Sequence, residues 1–139
     1  MKYPTIVTSK ILSITLIAIF LGLITASAGF SKKKPDWKPI SGNQYNMALF
    51  GKIILDGVDF GRGGFTLYSF GPGGENDCRS ESEISTEGTY YATIRGNING
   101  QTIHFKVYDY LSGNTYDLKD TIVFGIDDTV EKDFQDGKK

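Results

Sequence analysis

The chain has 139 residues, 15 basic and 16 acidic, for a net charge of −1. Setting aside residues 1–28, which hold Lys2 and Lys10, leaves 111 residues with 13 − 16 = −3; that is one domain's worth of chain, without the clustered basic surface that nucleic-acid phosphates demand. A single cysteine excludes an intrachain disulfide framework and a Cys-based zinc cluster, and a single histidine removes most metal and acid–base designs.

Residues 1–28 follow the export pattern. Lys2 and Lys10 form a sparse positive start, Ile11 to Thr25 carries no charge, and Ala26-Ser27-Ala28 supplies small side chains at a cleavage site. A cleaved signal peptide, helical in its apolar part, is the expectation. The alternative is an N-terminal membrane anchor over residues 11–30, a stretch of about bilayer-spanning length. Either one puts the remainder outside the cytoplasm, secreted or in the periplasm or cell envelope, with membrane contact only through an uncleaved N-terminal segment. Residues 29–45 are polar, contain Pro35 and Pro39, and read as a linker. Trp37 is expected to cover one end of the core, with an exposed ring for stacking a sugar or peptide as the alternative.

From residue 46 the pattern has period two. Met47, Leu49, Ile53 and Leu55 alternate with other residues in a first strand. Asp56-Gly57 suits a tight hairpin turn, so Val58 to Phe60 is expected to return as its partner. Phe65 to Phe70 is the next strand, ended by Gly71-Pro72-Gly73-Gly74. Residues 75–88 carry five acids against one arginine and read as a solvated loop, with at most a short strand near Cys78-Arg79. Thr89 to Arg95 is a strand with Tyr90, Ala92 and Ile94 on one face. A turn at 96–100 leads to Gln101 to Tyr110, where Ile103, Phe105 and Val107 face in while His104, Lys106 and Tyr108 face out. Short strands follow at 115–118 and 121–126, and Val130 and Phe134 suit a last edge strand before a tail at 135–139. The fold class is all-β: seven to eight short strands at turn spacings typical of an antiparallel sandwich, with no helix available for parallel crossovers. The domain is expected to span 46–134.

Three segments together resemble small Ig-like or transthyretin-like β-sandwich modules of secreted microbial proteins: Lys52-Ile53-Ile54-Leu55-Asp56-Gly57, Asp77-Cys78-Arg79-Ser80, and Gly100 to Asp109 (GQTIHFKVYD). Ser80 stands where that pattern carries Gly. The resemblance implies a non-catalytic accessory or adhesion-type domain and no particular ligand.

His104 sits mid-strand, and no Gly-x-Ser-x-Gly elbow is present to build a triad around it. Cys78 reads as a structural or free thiol, with an intermolecular disulfide as the alternative. Glu75, Asp77, Glu81, Glu83 and Glu87, and then Asp127, Asp128, Glu131, Asp133 and Asp136, form acidic runs in which Ca²⁺ is conceivable, but neither has calcium-loop grammar. No cofactor is expected. Gly61-Arg62-Gly63-Gly64 and the 71–74 run lack the lysine and helix of a phosphate loop. Tyrosines are the strongest lead: Tyr68, Tyr91, Tyr108 and Tyr110 lie on or beside strands, where outward rings would make a protein- or carbohydrate-binding face, although cross-strand ring pairs stabilise sheets without binding anything. The expected function is an exported, non-catalytic binding or adhesion module. A structural subunit of an envelope assembly is the alternative, and a small hydrolase the weakest reading.

Overall fold

The computed structural model describes residues 33–135; the expected signal peptide, residues 29–32 of the linker and residues 136–139 of the tail lie outside the described residues. The fold is all-β. Its strands are β1 (Tyr45–Ile54), β2 (Phe65–Phe70), β3 (Cys78–Ile84), β4 (Thr89–Gly96), β5 (Thr102–Asp109), β6 (Thr115–Val123), β7 (Thr129–Glu131) and β8 (Phe134–Gln135). They form one curled sheet in the order β6-β5-β2-β3-β4-β1-β7, with β8 also on β1.

Alternation builds the interior. Met47, Leu49 and Ile53 of β1 meet Tyr90, Ala92 and Ile94 of β4 and Ile103, Phe105 and Val107 of β5 in one core of 17 buried apolar residues. Each such side chain is worth about 1.5–3 kcal/mol when fully buried, so this cluster dominates stability. A second, four-residue cluster of Tyr68, Phe70, Cys78 and Tyr108 has Trp37 packed against it.

Several expectations are corrected. Val58 to Phe60 forms no return strand: Gly57 makes the turn with φ +73°, but β4 already occupies that edge of β1 through eight register pairs. The chain instead enters a 3₁₀ turn at Phe60–Arg62, with the Asp59 side chain accepting from the Gly61 amide. The supposed solvated loop contains β3, which pairs with β2 from Phe65↔Ile84 to Phe70↔Cys78. The two short strands expected at 115–118 and 121–126 are one strand, β6, whose pairing slips opposite Ile103/Phe105.

The sheet is also mixed rather than wholly antiparallel, since β7 and β8 both run parallel to β1. The helix that parallel pairing was expected to require is unnecessary, because β2 to β6 themselves make the long connection. After β6 the chain crosses the sheet end: the Phe124 amide donates to the Gln101 carbonyl and the Asp127 amide to Asn46, and the Ala48 amide donates to Asp128. Gly51 permits the next crossing. A Cβ there would stand 2.1 Å from the Lys132 carbonyl oxygen, and that same oxygen accepts from the Tyr90 hydroxyl at 2.6 Å. Phe134 then reaches Phe105 at 4.7 Å between ring centroids, and Lys132 pairs with Asp120 of β6 at 2.9 Å.

Candidate functional site

Tyr68 and Tyr108 do point away from the main core, but neither is available to a ligand, being 1% and 3% exposed. Residues 33–44, without regular structure, form a strap over the outer face of the sheet. Trp37 sets its ring edge-on to Tyr68 and Phe70 at 5.1 Å from each, so it covers this outer cluster rather than an end of the main core. The Ile40 amide donates to the Cys78 carbonyl at 3.0 Å. Asn97 holds the end of the strap, accepting from the Gln44 amide at 2.7 Å and donating to the Gly42 carbonyl at 3.2 Å. The Tyr68 hydroxyl donates to Glu81 at 2.9 Å, and burial foremost pushes this phenol far above its ordinary range.

The same cover decides Cys78. Its thiol is buried, and burial raises its pKa to about 11, so the side chain is a small apolar filler and an intermolecular disulfide has no access to it.

Tyr91 and Tyr110 remain open, at 64% and 41% exposed. Tyr91 stands on the outer face of β4, opposite Phe50 of β1. Tyr110 follows β5 with its ring edge-on to Tyr108 at 4.9 Å, and the Lys34 ammonium lies 4.9 Å from its centroid. Burial pushes the Tyr110 phenol up, but Lys34 and hydrogen bonds to Tyr68 and Thr66 pull it further down, so its net shift is downward.

The two tyrosines border three adjoining concavities that share β3. One, of about 550 Å³, lies between Tyr110 and Glu81 and Glu83; another, of about 660 Å³, between Glu83 and Tyr91; a third, of about 470 Å³, runs from Glu81 and Ser82 to Tyr91, Thr93 and Arg95, with Pro39 of the strap at its rim. These sizes lie within the small-ligand range. The last two lie over the neighbouring strands β3 and β4, which pair at Ile84↔Tyr90.

A fourth hollow, of about 430 Å³, lies on the other side of Trp37 between the 71–75 loop, His104, Lys106 and Asp117. Its charges are mutually satisfied: Lys106 pairs with Asp117 at 2.6 Å and Glu75 at 3.2 Å, and Glu75 accepts from the Trp37 indole at 3.1 Å.

Several carboxylates of the acidic runs are engaged by protein groups. Asp77 is bound to Arg79, Glu75 to Lys106 and Trp37, and Asp133 to the Lys52 amide. Among the described residues no three His, Cys, Asp or Glu side chains are grouped to hold a metal; Asp136 lies outside them.

Sequence reasoning missed two ion pairs, each with one buried member, Arg79 or Asp109, that shape this surface. Arg79, the extra residue where β3 slips against β2, donates to Asp77 at 2.5 and 2.9 Å, to the Arg95 carbonyl at 3.1 Å and to Gln101 at 3.1 Å. Asp109, fully buried, accepts from Arg62, the Ser112 hydroxyl and the amides of Leu111 and Ser112, and so fixes the turn that presents Tyr110. The signals were Asp-x-Arg at 77–79 and Asp-x-x-Ser at 109–112, both indistinguishable in sequence from solvated charge. No family model, curated protein or solved structure matches the chain.

Proposed function

We propose that this protein is an exported, non-catalytic binding module that takes its ligand on the outer face of β3 and β4. One observation carries the reading: the two exposed tyrosines, Tyr91 and Tyr110, bracket the carboxylates of Glu81 and Glu83 across adjoining concavities. Exposed aromatic rings beside hydrogen-bonding groups suit a carbohydrate or a protein surface. The resemblance to small secreted Ig-like or transthyretin-like β-sandwich modules supports the same class of function, and the apolar stretch ending in Ala26-Ser27-Ala28 supports export. Tyr91→Ala and Tyr110→Ala, both surface changes, test the face by biolayer interferometry against arrayed polysaccharides and peptides. The expected result is a ligand bound by the parent and weakened by both variants; a ligand indifferent to both removes the face.

A structural subunit is the second reading. It is favoured by Ile98, Val123 and Ile126, all exposed at the end of the sheet where Asn99 accepts from the Ile126 amide and Val123 stands opposite Thr102. A monomer at every concentration in sedimentation equilibrium removes it.

A further inference from the structure

We infer that the ligand is a basic stretch of polypeptide whose lysine or arginine side chains enter the two acidic hollows between Tyr110 and Tyr91, where Lys34 of the chain's own strap competes with them; the inference rests on the binding-module reading. Among the described residues, the charges lining these two hollows are of one sign. Glu81 and Glu83 line the first, beside Tyr110, and Glu83 lines the second, beside Tyr91. Gly63 and Gly64 wall the first with backbone alone. The third hollow, where Arg79 and Arg95 stand beside Glu81, carries mixed charge and is not part of the site. Glu83 is exposed and, among the described residues, has no ion-pair partner.

A cation already sits beside the first hollow and displays its chemistry. The Lys34 ammonium lies 4.9 Å from the Tyr110 ring centroid and 3.9 Å from the Glu81 carboxylate. A ring and a carboxylate thus converge on one positive charge, the combination that binds ammonium and guanidinium groups. The Lys34 side chain is 52% exposed and that of Glu81 39%. Water screens a pair so open and holds it weakly, so a second cation can take its place. A polypeptide suits the site better than a lone amine because the carboxylates repeat. Glu81 and Glu83 lie two residues apart on β3, so alternation puts them on one face about 6.5–7 Å apart. Alternate side chains of an extended peptide share that spacing. Cationic side chains at i and i+2 therefore meet both carboxylates, flanked by Tyr110 and Tyr91.

Biolayer interferometry of the full chain against three immobilised peptides tests this: one with lysine at alternate positions (Lys-Ser-Lys-Ser-Lys), one with glutamate at those positions and one with glutamine. The lysine peptide is expected to bind, less tightly as salt rises, and the other two not to bind. Glu83→Gln, a surface change, should weaken that binding about three- to fivefold. Lys34→Gln, which frees Glu81 and Tyr110, should strengthen it about two- to threefold, within the range of an exposed ion pair. Lys38→Gln makes the same change of charge on an exposed strap residue paired with Asp36, and should strengthen it less than Lys34→Gln does. Equal or tighter binding of the glutamine or glutamate peptide overturns the cationic class and leaves a binding module. Lysine-peptide binding that ignores Glu83→Gln, or that responds to Lys34→Gln no more than to Lys38→Gln, overturns the site. Binding of none of the three overturns the basic-peptide ligand, and the binding-module reading then stands or falls on its own array.

Discussion

Replacing Trp37 with alanine should uncover the outer cluster without unfolding the sheet. Trp37 is half-buried, so the change removes roughly 100 Å² of apolar contact from a side chain that buries about 150–250 Å² when enclosed, or about 2.5 kcal/mol at ~25 cal/mol per Å². Two edge-on ring contacts at 5.1 Å are lost as well. A fully enclosed tryptophan costs about 3–5 kcal/mol on the same change, so about 2–3 kcal/mol is the reasonable expectation here. The 17-residue core lies on the other side of the sheet and loses nothing. Cys78, the only cysteine, reports the event. Its thiol is buried beneath the strap with a pKa near 11, and opening the strap admits water and lowers that value toward the ordinary one. The rate of reaction with Ellman's reagent under native conditions should rise roughly 30- to 150-fold, the change in open population that 2–3 kcal/mol produces. Far-UV circular dichroism should stay β-rich. A variant that loses stability while its thiol remains as protected as the parent's would show that Trp37 is not the cover; collapse of the β signal would show that the two clusters are one cooperative unit.

Gly71→Ala should be more costly than Gly63→Ala. The Gly71 Cβ would fall 2.3 Å from Asp77 Oδ2 and 2.6 Å from Arg79 Nη2, whereas at Gly63 it meets nothing within 4 Å. Breaking a buried ion pair costs about 3–5 kcal/mol, against about 1–3 kcal/mol for an alanine forced into the extended positive-φ conformation of Gly63 (φ 72°, ψ −173°); equal urea midpoints for the two variants would contradict this account. Acid should destabilise the fold. Hydrogen bonds from Arg79 hold Asp77 below the usual carboxylate range; for Asp109, burial pushes upward but Ser112, Arg62 and two backbone amides outweigh it. Carboxyls depressed in the folded state take up protons more readily when unfolded, so their contribution is full above the ordinary pKa of about 3.9 and disappears as pH falls below it. Urea midpoints should hold steady from pH 7 to about 4.5 and then drop, and a midpoint unchanged at pH 2.5 would refute the assignment.

What alternation can show, it showed. β1, β4 and β5 carry apolar side chains at every second position, and each stands where those side chains share the core. Of β3 (CRSESEI) the same reasoning reaches only a short strand near Cys78-Arg79, because its inward positions include Ser80 and Ser82. Its place is secured by pairing with β2 and by a Ser69–Ser80 hydroxyl contact of 2.5 Å, and neither is a hydrophobic signal. Asp56-Gly57 correctly marked a turn, but turn chemistry is local, and which strand takes the vacant edge is settled by the whole sheet.

The tyrosines expose a deeper limit. Period two tells which rings leave the core, and all four candidates do lie outside it; it is silent on whether the outer face is itself covered. A non-periodic segment decides that. Trp37 closes over Tyr68 and Tyr108, Lys34 lies against Tyr110, and Pro39 reaches only the rim of the hollow beside Tyr91. The bulge acts on the same face: Arg79 is the extra residue where β3 slips against β2, and its guanidinium takes the Arg95 carbonyl near the end of β4. Strap and bulge together leave one stretch of outer face beside β3 uncovered, and that stretch includes Tyr91.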